Sequence, residues 1–349
     1  NEEMKVAAVE AIARLARIEA SEVVAAAYGG QAPVFGPDYI IPKPFDPRLI
    51  LEIAPAVAKA AAESGVATRP IADLADYRRK LERHVFRSGD LMRPVFEAAR
   101  KSPQRVAYAE GEDERTLRAV QTVLDEGIAE PVLVGRREVI AAKVQAMGLR
   151  MDLEKSVTIL DPVADTEVFG PLTDVYTRRA GRRGVPPDAA ALNVRTRPTV
   201  AAALLLEAGK VDAAIVGGTG EWMRHWHQVN DIIGKDPQVG RAYALTGVIT
   251  SAGNLFFVDT HLLVEPTAEQ VAEMTLLAAQ QVHAFGRRPR AALLSHSSFG
   301  ASQAPSAKKM RDALKLIRAK APDLMVDGEM HADAALIPAI RDRAVCDSR

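Results

Sequence analysis

From residue 105 onward one pattern recurs: a short apolar run of strand length, then a helical stretch opened by a capping residue and stopped by glycine. Such runs lie at 105–109, 131–134, 157–160, 213–216, 255–259, 291–294 and 324–326. They are short and largely apolar, as strands covered on both faces must be, and strands joined through helices run parallel. The pattern predicts an α/β architecture around a parallel sheet. Among its helices, one starts near Asp113 and turns Leu117, Val120 and Leu124 inward, and another over 199–208 ends at Gly209. Thr267 and Gln270 have capping-box spacing and open a long helix that runs to about Phe285.

The first part of the chain reads differently. Val6, Ala7, Val9, Ile12, Ala13, Leu15 and Ile18 recur at helical spacing within 3–27, and the helix stops near Tyr28-Gly29-Gly30. The next stretch, 31–47, holds five prolines and three aromatics and cannot be helical. A second helix follows over 47–64, with Leu49, Ile50, Ile53, Ala56, Val57 and Ala60 on its apolar face and Pro55 as the place for a kink. Nothing in these first 70 residues is a dinucleotide fingerprint. The strongly charged span 70–104 reads as exposed helix plus linker, so a module boundary belongs there.

Charge excludes some partners. Lys plus Arg and Asp plus Glu number 45 each, which leaves no net field to favour nucleic acid or an anionic membrane. The single cysteine, Cys346, cannot form an internal disulfide, which fits a reducing cytoplasm. No apolar run approaches the roughly 18 residues that span a bilayer. The start, Asn1-Glu2-Glu3-Met4, lacks the layout of a signal peptide and reads as cut from something longer.

Open α/β sheets bind ligands where loops leave the carboxyl ends of strands. Ala109-Glu110-Gly111-Glu112-Asp113-Glu114-Arg115 brings four acids, suited to a cation or to acid–base work, or simply to the positive end of a helix. Gly217-Gly218-Thr219-Gly220 lets backbone amides approach a phosphate, or makes a tight turn; it has no P-loop lysine. Beyond Arg224, His225-Trp226-His227 would point its two rings apart in a helix, with no third imidazole or cysteine to complete a metal site. Ser295-His296-Ser297-Ser298-Phe299-Gly300-Ala301-Ser302 offers hydroxyls to phosphate or pantetheine-type groups, or to turns and caps. Asp327-Gly328-Glu329-Met330-His331 adds acids and a histidine after a further strand. The candidate ligand residues are Gly217, Gly218, Thr219, Arg224, Ser295, Ser297 and Asp327. No catalytic or metal-binding residue is assigned.

These segments resemble phosphate acetyltransferases. The run from Ala109 to Ala119 matches an N-terminal signature of that family, and Pro266-Thr267-Ala268-Glu269-Gln270, Leu293-Leu294-Ser295-His296-Ser297 and Val326-Asp327-Gly328-Glu329 match further blocks in order. Upstream, Asn1-Glu2-Glu3-Met4-Lys5 and the run from Phe35 to Leu49 resemble the end of malic enzymes. Bacterial malic enzymes with a phosphotransacetylase-like C-terminal module join the two families in this order.

The resemblance implies a helical malic-enzyme tail over 1–85, a linker over 86–102 and a two-lobed phosphotransacetylase-like (isocitrate-dehydrogenase-like) fold over 103–349, truncated at its C-terminus. One lobe would take about 103–238 and 339–349, the other about 239–338, with the candidate residues lining an acyl-CoA or phosphate crevice. A parent of this kind oxidises malate to pyruvate and CO2 with NADP and Mg or Mn, through residues that precede Asn1, so this chain alone is expected not to turn over malate. Two family arginines align with Ala180 and His227, near Arg178, Arg179 and Arg224, and the family's final Ser-Arg and Asp have no counterpart. Fewer fixed cations weaken catalysis. The expectation is therefore a module that binds acetyl-CoA, regulates the rest of the malic-enzyme chain and helps assemble a homo-oligomer. An active phosphate acetyltransferase and a purely structural oligomerisation module are the alternatives.

Overall fold

The computed structural model describes residues 1–18, 35–37, 39–42, 46, 48–85, 89–250 and 253–344. The later part of the first expected helix, most of the proline-rich stretch and Cys346 lie outside the described residues. By its internal contacts the chain divides into two units, 1–89 with 96–234 and 90–95 with 235–349.

The first unit begins with α1 (Glu2–Arg17). Its cap is Asn1, whose side chain accepts from the Met4 amide at 3.1 Å. Acids in the first turn and Arg14 and Arg17 in the last complement the helix dipole. Helix α2 (Leu49–Glu63) carries Pro55 inside it, and Asn1 Nδ2 donates to Ser64 Oγ just past its end at 2.8 Å, so α1 and α2 run antiparallel. Helix α3 (Leu74–Val85) is tied to α2 by Arg78 and Glu52 at 2.7 Å. The expected linker over 86–102 contains another helix, α4 (Gly89–Lys101).

The sheet of this unit is β1 (Gln104–Tyr108), β2 (Ala129–Val134), β3 (Thr158–Leu160) and β4 (Ala213–Ile215), parallel throughout in the order β3-β2-β1-β4. Successive strand residues face opposite sides, and here both sides are covered. Tyr108, Leu133 and Ile159 pack against α5 (Glu114–Glu126) and α6 (Arg137–Ala146). Ala107, Ala109, Val132 and Val134 pack with α7 (Thr166–Gly181), α8 (Pro187–Thr196) and α9 (Pro198–Glu207). Helix α9 is buried continuously from Thr199 to Leu205, which explains its apolar composition all round. Helix α10 (Trp222–Ile232) follows β4.

The second unit holds an antiparallel hairpin, β5 (Leu245–Thr250) with β6 (Gly253–Val258), and a parallel pair, β7 (Arg290–Leu294) with β8 (Met325–Met330). Its helices are α11 (Ala268–Ala284), α12 (Pro305–Lys320), α13 (Ala332–Leu336) and α14 (Pro338–Ala344). The expected capping box is present: Gln270 N donates to Thr267 Oγ1 at 3.3 Å, and Thr267 N donates to Gln270 Oε1 at 2.8 Å. Val271, Met274, Leu293, Leu314, Ile317 and Val326 form the core of this unit. Residues 338–344 group here by contacts and not with the first unit, because Pro338 starts α14 directly against α13. No helix among the described residues is long and apolar enough to cross a membrane.

Candidate functional site

Strand order reverses beside β1: β2 and β3 lie on one side of it and β4 on the other. Loops leaving the carboxyl ends of β1 and β4 therefore flank the position where such sheets open a crevice. The structure joins these two loops directly. Glu110 Oε1 accepts from the Gly217 amide at 3.0 Å, and Arg115 donates to the Gly218 carbonyl at 2.7 Å.

The acids of the β1 loop are committed to structure. Glu112 holds the Arg136 guanidinium at 2.7 Å, and this side-chain hydrogen bond keeps its carboxyl below the usual range against the opposing effect of burial. Asp113 caps α5 by accepting from Arg115 N at 2.9 Å. Gly111 sits where a Cβ would meet the Val134 carbonyl oxygen at 2.7 Å, so the loop can lie flat on β2 only with glycine there. Among the described residues no three His, Cys, Asp or Glu side chains gather to hold a metal ion.

Within α10 the two histidines part, as helical spacing requires. His225 turns to the protein side, with Nδ1 2.7 Å from Thr199 Oγ1 and Nε2 2.7 Å from the Thr219 carbonyl. His227 lines a hollow of about 370 Å3 with Tyr176, Arg197, Glu221, Met223, Arg224, Gln228 and Asp231. Arg197 immediately precedes α9, and neither Arg197 nor Arg224 has an ion-pair partner among the described residues. Gln228 is only 9% exposed, yet its amide makes no hydrogen bond among them. Two neighbouring cations are unavailable: Arg179 bonds the Ile232 carbonyl and Glu207, and Arg183 pairs with Asp231. Ala180 is buried in α7.

In the second unit one candidate hydroxyl, that of Ser297, bonds a buried carboxylate. Glu329 is fully buried, and its Oε1 accepts from Ser297 Oγ at 2.9 Å, Gly300 N at 3.0 Å and Arg311 Nη1 at 2.7 Å. Burial alone would push this carboxyl up, but those donors outweigh it and hold it below the usual range. Its Oε2 is buried with no partner among the described residues. Ser295 N donates to the Met330 carbonyl at 3.0 Å, and Ser295 Oγ lies 3.5 Å from His296 Nδ1, at the limit of a hydrogen bond. Asp327 is 8% exposed, and its Oδ1 accepts from Arg318 at 3.1 Å and from Gly328 N at 2.9 Å.

Of the candidate residues, Gly217, Gly218 and Thr219 lie in the loop before α10 and Arg224 in its first turn, and of these four Arg224 alone lines the hollow. Ser295 and Ser297 lie on the loop after β7, and Asp327 lies within β8. Sequence reasoning missed Arg197, His225 and Gln228 as contributors, and Arg311 with Glu329 as the charge that shapes the serine loop.

Residues 90–349 match the family described as Phosphate acetyl/butaryl transferase. The whole chain is similar to longer proteins. It is 52% identical to the NAD-dependent malic enzyme of Rhizobium meliloti (strain 1021), covering 100% of this chain and 45% of that protein. It is 49% identical to the NADP-dependent malic enzyme of Escherichia coli (strain K12), covering 100% of this chain and 46% of that protein. The chain thus spans less than half the length of these relatives. Among solved structures, the EutD phosphotransacetylase from Staphylococcus aureus shares the fold, with a TM-score of 0.64 and 23% identity over 73% of this chain and 77% of that one. Because those malic enzymes match both the family region and the 89 residues before it, the chain belongs to the phosphate acetyl/butaryl transferase family in the form that malic enzymes carry as a module.

Proposed function

We propose that the chain is an acyl-CoA-sensing regulatory module of an NAD- or NADP-dependent malic enzyme, with acetyl-CoA as effector. In the parent, malate would be oxidised and decarboxylated by residues outside this chain, and the module would also contribute to a homo-oligomer. The hollow beside α10 carries the reading. Two arginines without ion-pair partners among the described residues, a histidine and the Gln228 amide line one concavity of about 370 Å3, a donor set suited to phosphate oxygens and an adjoining polar group. The resemblance supports sensing over turnover. One position where the family carries an arginine holds buried Ala180, and Arg179 nearby is held by Glu207 and Ile232. Binding regulates only if acetyl-CoA favours one state of the assembly over another.

The test is malate-dependent NAD(P)H formation by the full-length malic enzyme across an acetyl-CoA titration. It compares the intact protein, a Arg197→Ala/Arg224→Ala variant and a protein ending before residue 103. Inhibition is expected in the intact protein, shifted by about tenfold or more in the double variant, since each charged hydrogen bond contributes about 1.5–3 kcal/mol, and absent from the shortened one. An intact protein indifferent to acetyl-CoA overturns the reading. Phosphate-dependent consumption of acetyl-CoA by the purified chain would favour the transferase alternative.

A further inference from the structure

We infer that His225 is a positioning residue that aims the 217–220 loop at its ligand, an inference that rests on the proposed anion-binding function of this unit. A carbonyl oxygen can only accept, so the 2.7 Å contact of His225 Nε2 with the Thr219 oxygen places a proton on Nε2. In the neutral ring Nδ1 is then the acceptor, and the buried Thr199 hydroxyl 2.7 Å away donates to it. Both nitrogens are used, and one tautomer satisfies both contacts.

The ring also fills the space under the loop. A Cβ on Gly220 would lie 3.2 Å from His225 Nε2, and the φ of 93° at Gly220 is a conformation that glycine adopts without strain. His225 has a counterpart one peptide earlier, where Arg115 donates to the Gly218 carbonyl at 2.7 Å. Across a trans peptide the carbonyl and the next amide point in opposite directions. Drawing the Gly218 and Thr219 oxygens toward Arg115 and His225 therefore turns the Thr219 and Gly220 amides the other way. Neither amide meets an acceptor among the described residues. Adjacent outward amides are anion donors. His225 thus acts through the loop backbone, not by touching the ligand.

Two substitutions separate the bonds of the ring. His225→Gln keeps an N–H donor near the Nε2 position and can still reach the Thr219 oxygen. His225→Asn keeps an acceptor near Nδ1 for Thr199 but cannot reach the loop. Nitrogen relaxation of the 218–221 amides in the complete chain should show added fast motion of the loop in the Asn variant, which has lost the hold on the Thr219 oxygen, and parent-like motion in the Gln variant. Nitrogen NMR of the imidazoles should show His225 protonated at Nε2 and bare at Nδ1. Acetyl-CoA affinity, read from the fluorescence of Trp222 and Trp226 on α10, should fall about tenfold for Asn and no more than about threefold for Gln, at matched melting temperatures. Equal loop motion in all three proteins, or a proton on Nδ1, overturns the assignment. If the parent chain itself shows no acetyl-CoA binding, the proposed function fails, while loop motion and tautomer still decide the role of His225.

Discussion

Two loops leave parallel strands in this protein, and different physics holds each of them. The serine loop after β7 closes around a buried charge: Ser297, Gly300 and Arg311 all donate to one oxygen of Glu329. The glycine loop after β4 is held by His225, Arg115 and Glu110 at its rim, while Arg197 and Arg224 have no ion-pair partner among the described residues. A buried carboxylate consumes the polar groups around it, because each must compensate lost hydration. The richer collection of polar residues is therefore largely committed internally. The sparser one keeps cations in reach of solvent, and there a ligand can still gain binding energy.

Several changes would break or sharpen that contrast. The largest effect is expected from Arg311→Met, which leaves the buried Glu329 carboxylate without its cation at a cost of about 3–5 kcal/mol, measured by urea unfolding. A loss near zero would mean that the serine loop does not depend on this pair. Because the Glu329 carboxyl is held low, its contribution is complete above the ordinary carboxylate pKa, about 4, and is lost as the pH falls through the lowered value. Next, Gly111→Ala should destabilise the first unit by about 1–3 kcal/mol, since the added Cβ meets the Val134 carbonyl at 2.7 Å. By contrast, Arg197→Ala with Arg224→Ala should leave stability within about 0.5 kcal/mol while weakening acetyl-CoA binding; a marked loss of stability would show that these arginines serve the fold. The smallest effect belongs to the exposed pair of Arg105 and Asp212 at the foot of the sheet, 2.8 Å apart. The Arg105 side chain holds Asp212 down at about 2, so Asp212→Asn should match the parent's melting temperature near pH 2 and fall slightly below it above pH 4.

The middle of the sheet in the first unit was legible because β2 is buried on both faces from Pro131 to Val134. Leu133 between Val132 and Val134 needs an apolar partner on each side, and short apolar runs are the signature of that requirement. Thr267 with Gln270 was legible because a capping box is local. Strand β5 left no such trace: Gly247, Val248 and Ile249 are exposed, and among the described residues the strand pairs only with β6. Asp327 was favoured over Glu329 for a related reason. The register of β7 with β8 shifts, so that Leu293 pairs with Gly328 and Leu294 with Met330, leaving Glu329 as the unpaired residue of a bulge. A bulge re-aims one side chain, and alternation along the strand gives no hint of it. Arg197 and Gln228 escaped notice because the hollow they share gathers residues from α7, the start of α9 and α10, which only the folded chain brings together.

Helix α9 has a consequence beyond stability. Its ten residues form a rod about 15 Å long, sheathed by core from Thr199 to Leu205. One tip is Arg197, in the hollow, and the other is Glu207, which grips Arg179 of α7. A close-packed rod does not bend under a small pull. A ligand that draws on Arg197 therefore holds one end of a stiff lever whose far end is already fastened to another helix on the same side of the sheet.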